Sequence, residues 1–124
     1  MKIKTSELQG AVLDWAVAKC EVTKPIEEFD YFFLKNHDNG FCYYSTNWAQ
    51  GGPIIEREKI DVLWVSTSQQ FVGSAPRLHK IGWRYLQYGP TPLIAAMRCY
   101  VASKLGAEVA IKRSWNEEIH NKKR

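Results

Sequence analysis

The seven residues from Asn47 to Pro53, Asn-Trp-Ala-Gln-Gly-Gly-Pro, combine more ligand-binding groups than any other stretch of this 124-residue chain. Gly51 and Gly52 allow a close approach to the backbone. Free N–H groups at a helix start attract anions. The Trp48 indole can stack on a base or ring, and Asn47 or Gln50 can read the edge of that ring. The competing reading is structural: Gly-Gly-Pro shapes the start of a packed helix and Trp48 belongs to the core. The segment lacks the Lys-Ser/Thr of a P-loop and the glycine spacing of a dinucleotide fingerprint. Arg98 joins the candidate list because it sits in the otherwise apolar run Ala95–Val101. It either forms a structural ion pair or binds an anion.

Other reactive side chains are less promising. His37-Asp38, with Cys42 nearby, matches no zinc spacing. Asn36-His37-Asp38-Asn39-Gly40 is ordinary turn chemistry. His79 and His120 have no neighbouring partner in sequence. Glu56 and Glu58 are two residues apart on an expected helix, so they do not share a face for acid–base work. The three cysteines, Cys20, Cys42 and Cys99, are odd in number and form no close pair. They are expected as free thiols in a reducing compartment. No catalytic residue, metal or cofactor is assigned.

The net charge of +4 is unevenly spread. Residues 112–124 hold five Lys/Arg and two Asp/Glu, whereas the other 111 residues hold twelve against eleven. Basicity therefore belongs to a tail, expected to be mobile, which can touch nucleic acid or another acidic surface. The body, residues 1–111, is expected to be one α+β domain. Its sixteen aromatics can fill a core without disulfides or metal. No run reaches the 18 or so apolar residues of a membrane span. The charged start, Met1-Lys2-Ile3-Lys4, is not followed by the apolar core of a signal peptide. A cytosolic protein is expected.

These candidates must be held by a small set of elements. Residues 6–20 read as a helix, with Ser6 and Gln9 as a capping box. Residues 29–34, Phe-Asp-Tyr-Phe-Phe-Leu, suit a strand that can pair with 41–44 across the Asn39-Gly40 turn. Residues 47–58 read as a second helix, weak at Gly51-Gly52 and firm from Pro53. A strand over 61–67, a loop over 68–76 and a strand over 78–86 follow, the two strands being possible antiparallel neighbours. The third helix, 92–105, is the clearest. Thr91 caps it, Pro92 opens it and Gly106 stops it. Ile94, Met97, Val101 and Leu105 form its apolar stripe. Residues 108–111 suit a short strand. About three helices on an antiparallel sheet of three to five strands result, as a two-layer or α/β/α sandwich.

Three stretches carry a resemblance: MKIKTSELQGAVLDWAVAKCE at the start, STNWAQGGPIIERE at 45–58 and GPTPLIAAMRCYVASKLG at 89–106. The chain resembles the NinX-like family of small tailed-phage and prophage proteins of enteric bacteria, a domain of unknown function. It is more weakly similar to phage α/β sandwich domains. The resemblance implies an α+β sandwich, the bacterial host cytoplasm and no particular activity. Double-stranded RNA-binding domains share the helix–strands–helix order. They need a basic start to the last helix, and Thr91-Pro92-Leu93-Ile94 carries no charge. The sequence thus points to a non-enzymatic phage accessory protein that engages a host protein or a small nucleotide-like ligand, with self-association possible. A nucleic-acid-associated protein using the basic tail is the alternative. A groove near Trp48 would favour the ligand. A flat exposed apolar patch would favour a protein partner or a second copy.

Overall fold

A computed structural model describes residues 2–21, 33, 42–76 and 84–111. The expected turn at 36–40, the tail at 112–124, and His37, Asp38, His79 and His120 lie outside the described residues. The described elements run in the order β1 (Lys2–Lys4), a 3-10 turn (Thr5–Glu7), α1 (Gly10–Glu21), α2 (Trp48–Glu58), β2 (Asp61–Val65), β3 (Gln70–Pro76), β4 (Arg84–Gly89), α3 (Pro92–Leu105) and β5 (Glu108–Ala110). The fold is α+β. Among the described residues three α-helices pack with two antiparallel sheets, one of order β2-β3-β4 and one pairing β1 with β5.

The third helix forms as its sequence signals. Thr91 Oγ1 accepts the Ile94 N–H at 3.1 Å, Pro92 occupies the first turn, and Gly106 follows the last residue with φ of 89°. Its burial exceeds the expected stripe. Leu93 and every residue from Ala95 to Ala102 are buried, because α3 packs against all three strands of the larger sheet and against both other helices. A helix enclosed in this way is apolar on most sides. The alanines at 95, 96 and 102 are small enough to fit. Residues from α1, including Leu13, Trp15 and Val17, complete the core with Ile54 of α2.

Contact between sheet and helix is very close. A Cβ added at Gly73 would stand 2.6 Å from the Ala95 carbonyl oxygen, and one at Gly89 would stand 2.8 Å from the Ala95 nitrogen. Only glycine lets these strands lie against the α3 backbone.

This seam corrects the loop expected over 68–76. Residues 70–76 are strand β3, paired with both neighbours. Gly73 looks like a loop signal but serves the helix above it, and Pro76 stands at the strand end. The chain reverses at residues 66–69, where Gln69 takes φ of 55° and its Nε2 donates to the Ser66 carbonyl at 2.7 Å. The expected strands at 61–67 and 78–86 are therefore not neighbours: β3 lies between β2 and β4. The last strand is Arg84–Gly89, and residues 77–83 lie outside the described residues.

Three further expectations change. Ser6 does not cap a helix, because Thr5–Glu7 forms a 3-10 turn and α1 starts at Gly10, which has φ of 58°. Phe33 is the only described residue of the strand expected at 29–34, and it is helical and fully buried. Residues 42–46 form loop and turn, so no hairpin strand exists there. Strand β1 was not anticipated. It is short, and its partner β5 lies near the other end of the chain. The Thr5 N–H donates to the Ala107 carbonyl at 2.8 Å and Thr5 Oγ1 to the Gly106 carbonyl at 2.6 Å, joining the two regions. Among the described residues no helix is long and apolar enough to cross a membrane.

Candidate functional site

Asn47 starts α2. It has extended backbone, and its side-chain oxygen accepts the Ala49 N–H at 2.9 Å, the usual work of a capping asparagine. Gln50 faces back: its Oε1 accepts the Tyr43 N–H at 2.6 Å. The Tyr43 carbonyl accepts the Asn47 N–H at 2.8 Å. The Gln50 side chain thus holds the loop that precedes the helix, while the Asn47 side chain caps the helix itself.

The helix is continuous through Gly51-Gly52, without the expected weak point, and Pro53 lies inside it. Gly51 is buried. A Cβ there would overlap the Tyr44 carbonyl oxygen and stand 2.6 Å from Leu93 Cδ1. The close approach that glycine permits is therefore made by the chain itself. At Gly52 the nearest such atom is Trp48 Cε3, 4.0 Å away. Trp48 is 56% exposed, which excludes the core reading of this residue. It borders a cavity of about 230 Å³, whose walls include Ser45, Thr46, Thr91, Leu93 and Ile94.

Arg98 is elsewhere in the molecule's chemistry. It is 8% exposed and does not line that cavity. Its Nε donates to the Leu8 carbonyl at 2.7 Å and a terminal nitrogen to the Tyr88 carbonyl at 2.8 Å. Burial lowers its pKa. Among the described residues it forms no ion pair. It ties the 3-10 turn region and β4 to α3. Of the six candidate residues, then, Asn47, Trp48, Gln50, Gly51 and Gly52 stand together at the start of α2, while Arg98 does not join them.

A second cluster escaped sequence reasoning. Arg57 donates to both oxygens of Glu21, at 3.0 and 2.6 Å, and through Nε to Glu58 at 2.8 Å. Tyr100 donates its hydroxyl to Glu21 and accepts from Arg57 at 3.1 Å. Lys104 pairs with Glu58 at 3.3 Å. Burial works to raise the Glu21 pKa, but the hydrogen bonds from Arg57 and Tyr100 prevail and hold it below the usual range. Burial first, and then the Glu21 carboxylate, push the Tyr100 hydroxyl up. Burial also pushes the adjacent Cys20 thiol up to about 12, which leaves it a poor nucleophile. The cluster joins the ends of α1 and α2 to α3. Apart from the adjacent Arg57 and Glu58, the partners are 36 and more residues apart in sequence, so no local spacing announces them.

A third feature lies on the larger sheet. Alternation along the strands sends Val62, Gly73, Ala75 and Tyr85 toward α3. Leu63, Val72, Leu86 and Tyr88 go to the other face. Leu63, Val72 and Tyr88 are aligned across the three strands. Leu63 is 64% exposed, Leu86 55% and Tyr88 45%. The next row aligns Asp61 and Ser74 with Leu86, and Arg84 lies beyond it opposite Pro76. Arg84 donates to Asp61 at 3.0 Å and to the Ser74 carbonyl at 3.1 Å. At β2, Trp64 is half exposed and meets Phe71 edge-on at 4.9 Å. Cys20, Cys42 and Cys99 are free thiols. Among the described residues no group of three or more His, Cys, Asp or Glu gathers to hold a metal.

A comparison with curated proteins finds no match. A family model does. Described as Bacteriophage P22, NinX, it matches residues 4–104, a span that takes in the start of α2, the Arg57 cluster and the whole β2-β3-β4 sheet. On that match, which covers most of its length, the chain belongs to the bacteriophage P22 NinX family.

Proposed function

We propose that this phage protein is an accessory factor that works by binding another protein, and that the outer face of the β2-β3-β4 sheet is its binding surface. One observation carries the reading. Leu63, Leu86 and Tyr88 are large, apolar and roughly half or more exposed, and they stand together on one sheet face around Val72. Scattered apolar residues are normal on a surface, whereas a contiguous patch of them favours a partner. Asp61, Ser74 and Arg84, linked by the bonds from Arg84, add polar groups beside Leu86 on the same face, and interfaces combine an apolar centre with polar surroundings. The partner on this reading is a host protein met in the bacterial cytoplasm.

Native mass spectrometry of the chain purified from phage-infected cells tests it. The wild-type chain is expected to carry a protein of defined mass. A Leu63→Ser, Tyr88→Ser double variant is expected to stay folded and to lose that mass. Equal retention by both would defeat the proposal.

A further inference from the structure

Strand β2 ends the larger sheet. Among the described residues it pairs with β3 alone, and no other backbone bond reaches Asp61–Val65. One side of its backbone therefore keeps N–H and C=O groups free, a template for another strand. Proteins blunt such edges with lysine, proline or a bulge. None is present in β2, which reads Asp-Val-Leu-Trp-Val and pairs with β3 residue for residue. Its one charge, Asp61, is held by Arg84 of β4 at 3.0 Å.

Exposure separates the two edges of the sheet. On β4 the exposed residues are Arg84, Leu86 and Tyr88, all on the outer face, and α3 covers the other side. On β2 exposure reaches both faces. Leu63 stands out on the outer face. Trp64, 51% exposed, points the opposite way, in line with Phe71 and with Gly89 on the helix side. Helix α3 lies mainly over β3 and β4, so β2 overhangs it. A partner laid on the outer face covers Leu63 and leaves Trp64 in water. A strand added along the edge covers part of both.

We infer that the added strand is β2 of a second copy, paired antiparallel about a two-fold axis through Leu63. The inference concerns the edge and stands apart from the partner proposed for the outer face. The strand is its own complement. A two-fold contact sets each residue against its symmetry mate. With Leu63 on the axis every residue of β2 finds a partner: Leu63 meets Leu63, Val62 meets Trp64 and Asp61 meets Val65. Moving the axis to Val62 or Trp64 leaves part of the strand unpaired. Moving it to Asp61 sets carboxylate against carboxylate, which disfavours pairing. On the Leu63 axis the two leucines touch on the outer face, and each Trp64 lies beside a Val62 on the inner one. The two sheets join in the order β4-β3-β2-β2-β3-β4, with both outer faces on the same side. Five residues a side fall well short of the roughly 20–30 of a standard interface. The dimer is therefore reversible and forms at high micromolar concentration.

Sedimentation equilibrium of the purified full chain, over a concentration series that reaches the high micromolar range, tests this. A monomer–dimer equilibrium is expected, with no larger species, because pairing uses up the β2 edge. Leu63→Lys and Leu63→Glu should each weaken it about tenfold or more, since like charges then meet on the axis. Both should stay folded, as Leu63 is 64% exposed. Mixed in equal amounts, the two variants should recover a dimer that neither forms alone. A second measurement fixes the register. Under mild oxidation a mixture of Asp61→Cys and Val65→Cys chains should crosslink through those two positions, because facing Cα atoms of an antiparallel pair stand about 4.5–5.5 Å apart, within disulfide reach. A wild-type chain that stays monomeric across the series would overturn the inference. So would a mixture of Leu63→Lys and Leu63→Glu that stays monomeric, since association would then run through another surface. Crosslinking of Asp61→Cys to its own copy as readily as to Val65→Cys would overturn the pairing about Leu63.

Discussion

The two faces of the β2-β3-β4 sheet are built in opposite ways. Against α3 the central strand offers Gly73 and Ala75, and β4 ends on Gly89. On the other side stand Leu63, Leu86 and Tyr88, all exposed. An antiparallel sheet with one wet face normally puts its large apolar residues inside and polar ones outside. Here the helix backbone comes so close at Gly73 and Gly89 that no side chain fits at those two positions, while large apolar residues stand on the side facing water. Packing explains the small residues within. It does not explain the large ones outside, and that asymmetry underlies the proposal that the outer face meets a partner.

The comparison breaks most readily at the inner face. Gly73→Val would drive its side chain into the Ala95 carbonyl, a backbone atom that cannot turn aside. Overpacking of this kind costs on the order of 3 kcal/mol or more. With a shift of roughly 3–6 °C per kcal/mol in a domain of this size, the melting temperature should fall by about 10 °C or more, or the chain should not fold. A well-folded Gly73→Val variant of unchanged melting temperature would mean that helix and sheet are not in such close contact.

A middle-sized effect belongs to neither face and serves as a control. Glu21→Gln removes the charge that Arg57 holds through two bonds. Arg57 is half exposed, so the loss is discounted for solvent to about 1 kcal/mol. Acid should act on the same bond. The folded pKa of Glu21 lies below 4.5, as does that of Glu58. The stabilisation is therefore present above the unfolded value near 4.5 and is lost as pH falls through the folded value. Melting curves across that range should decline toward acid in the wild-type chain and less steeply in Glu21→Gln. Parallel curves would show that the network does not couple to folding.

The smallest effect on stability is expected on the outer face. Leu63→Ser with Tyr88→Ser should move the folding free energy by less than about 0.5 kcal/mol per site, as at ordinary exposed positions. A larger loss, read from denaturant unfolding, would reveal that the face is covered within the molecule.

What the sequence disclosed was local. Thr91, Pro92 and Gly106 mark α3 because caps act on residues two to four positions away, and Asn47 marks α2 for the same reason. Gly73 misled because its reason lies 22 residues further on, in the backbone of Ala95. Strand β1 was invisible because three residues carry no periodicity and its partner closes the other end of the fold. At the candidate site, the place of Trp48 at a helix start was legible, whereas its exposure, set by how α2 lies on the body, was not. Gly51 was not legible as filled space, since Tyr44 and Leu93 occupy it only after folding. Arg98 was legible as unusual but not in its partners, of which the Leu8 carbonyl is 90 residues distant.

Hydroxyl-radical footprinting, read by mass spectrometry on the free chain and on the complex recovered from infected cells, tests the outer-face claim most directly. Both surfaces are labelled in one sample: Leu63, Leu86 and Tyr88 on the sheet, and Trp48, equally exposed, as the internal reference. The account predicts that the three sheet residues lose labelling in the complex while Trp48 keeps it. Labelling of Leu63, Leu86 and Tyr88 that is the same in the free chain and in the complex would contradict it.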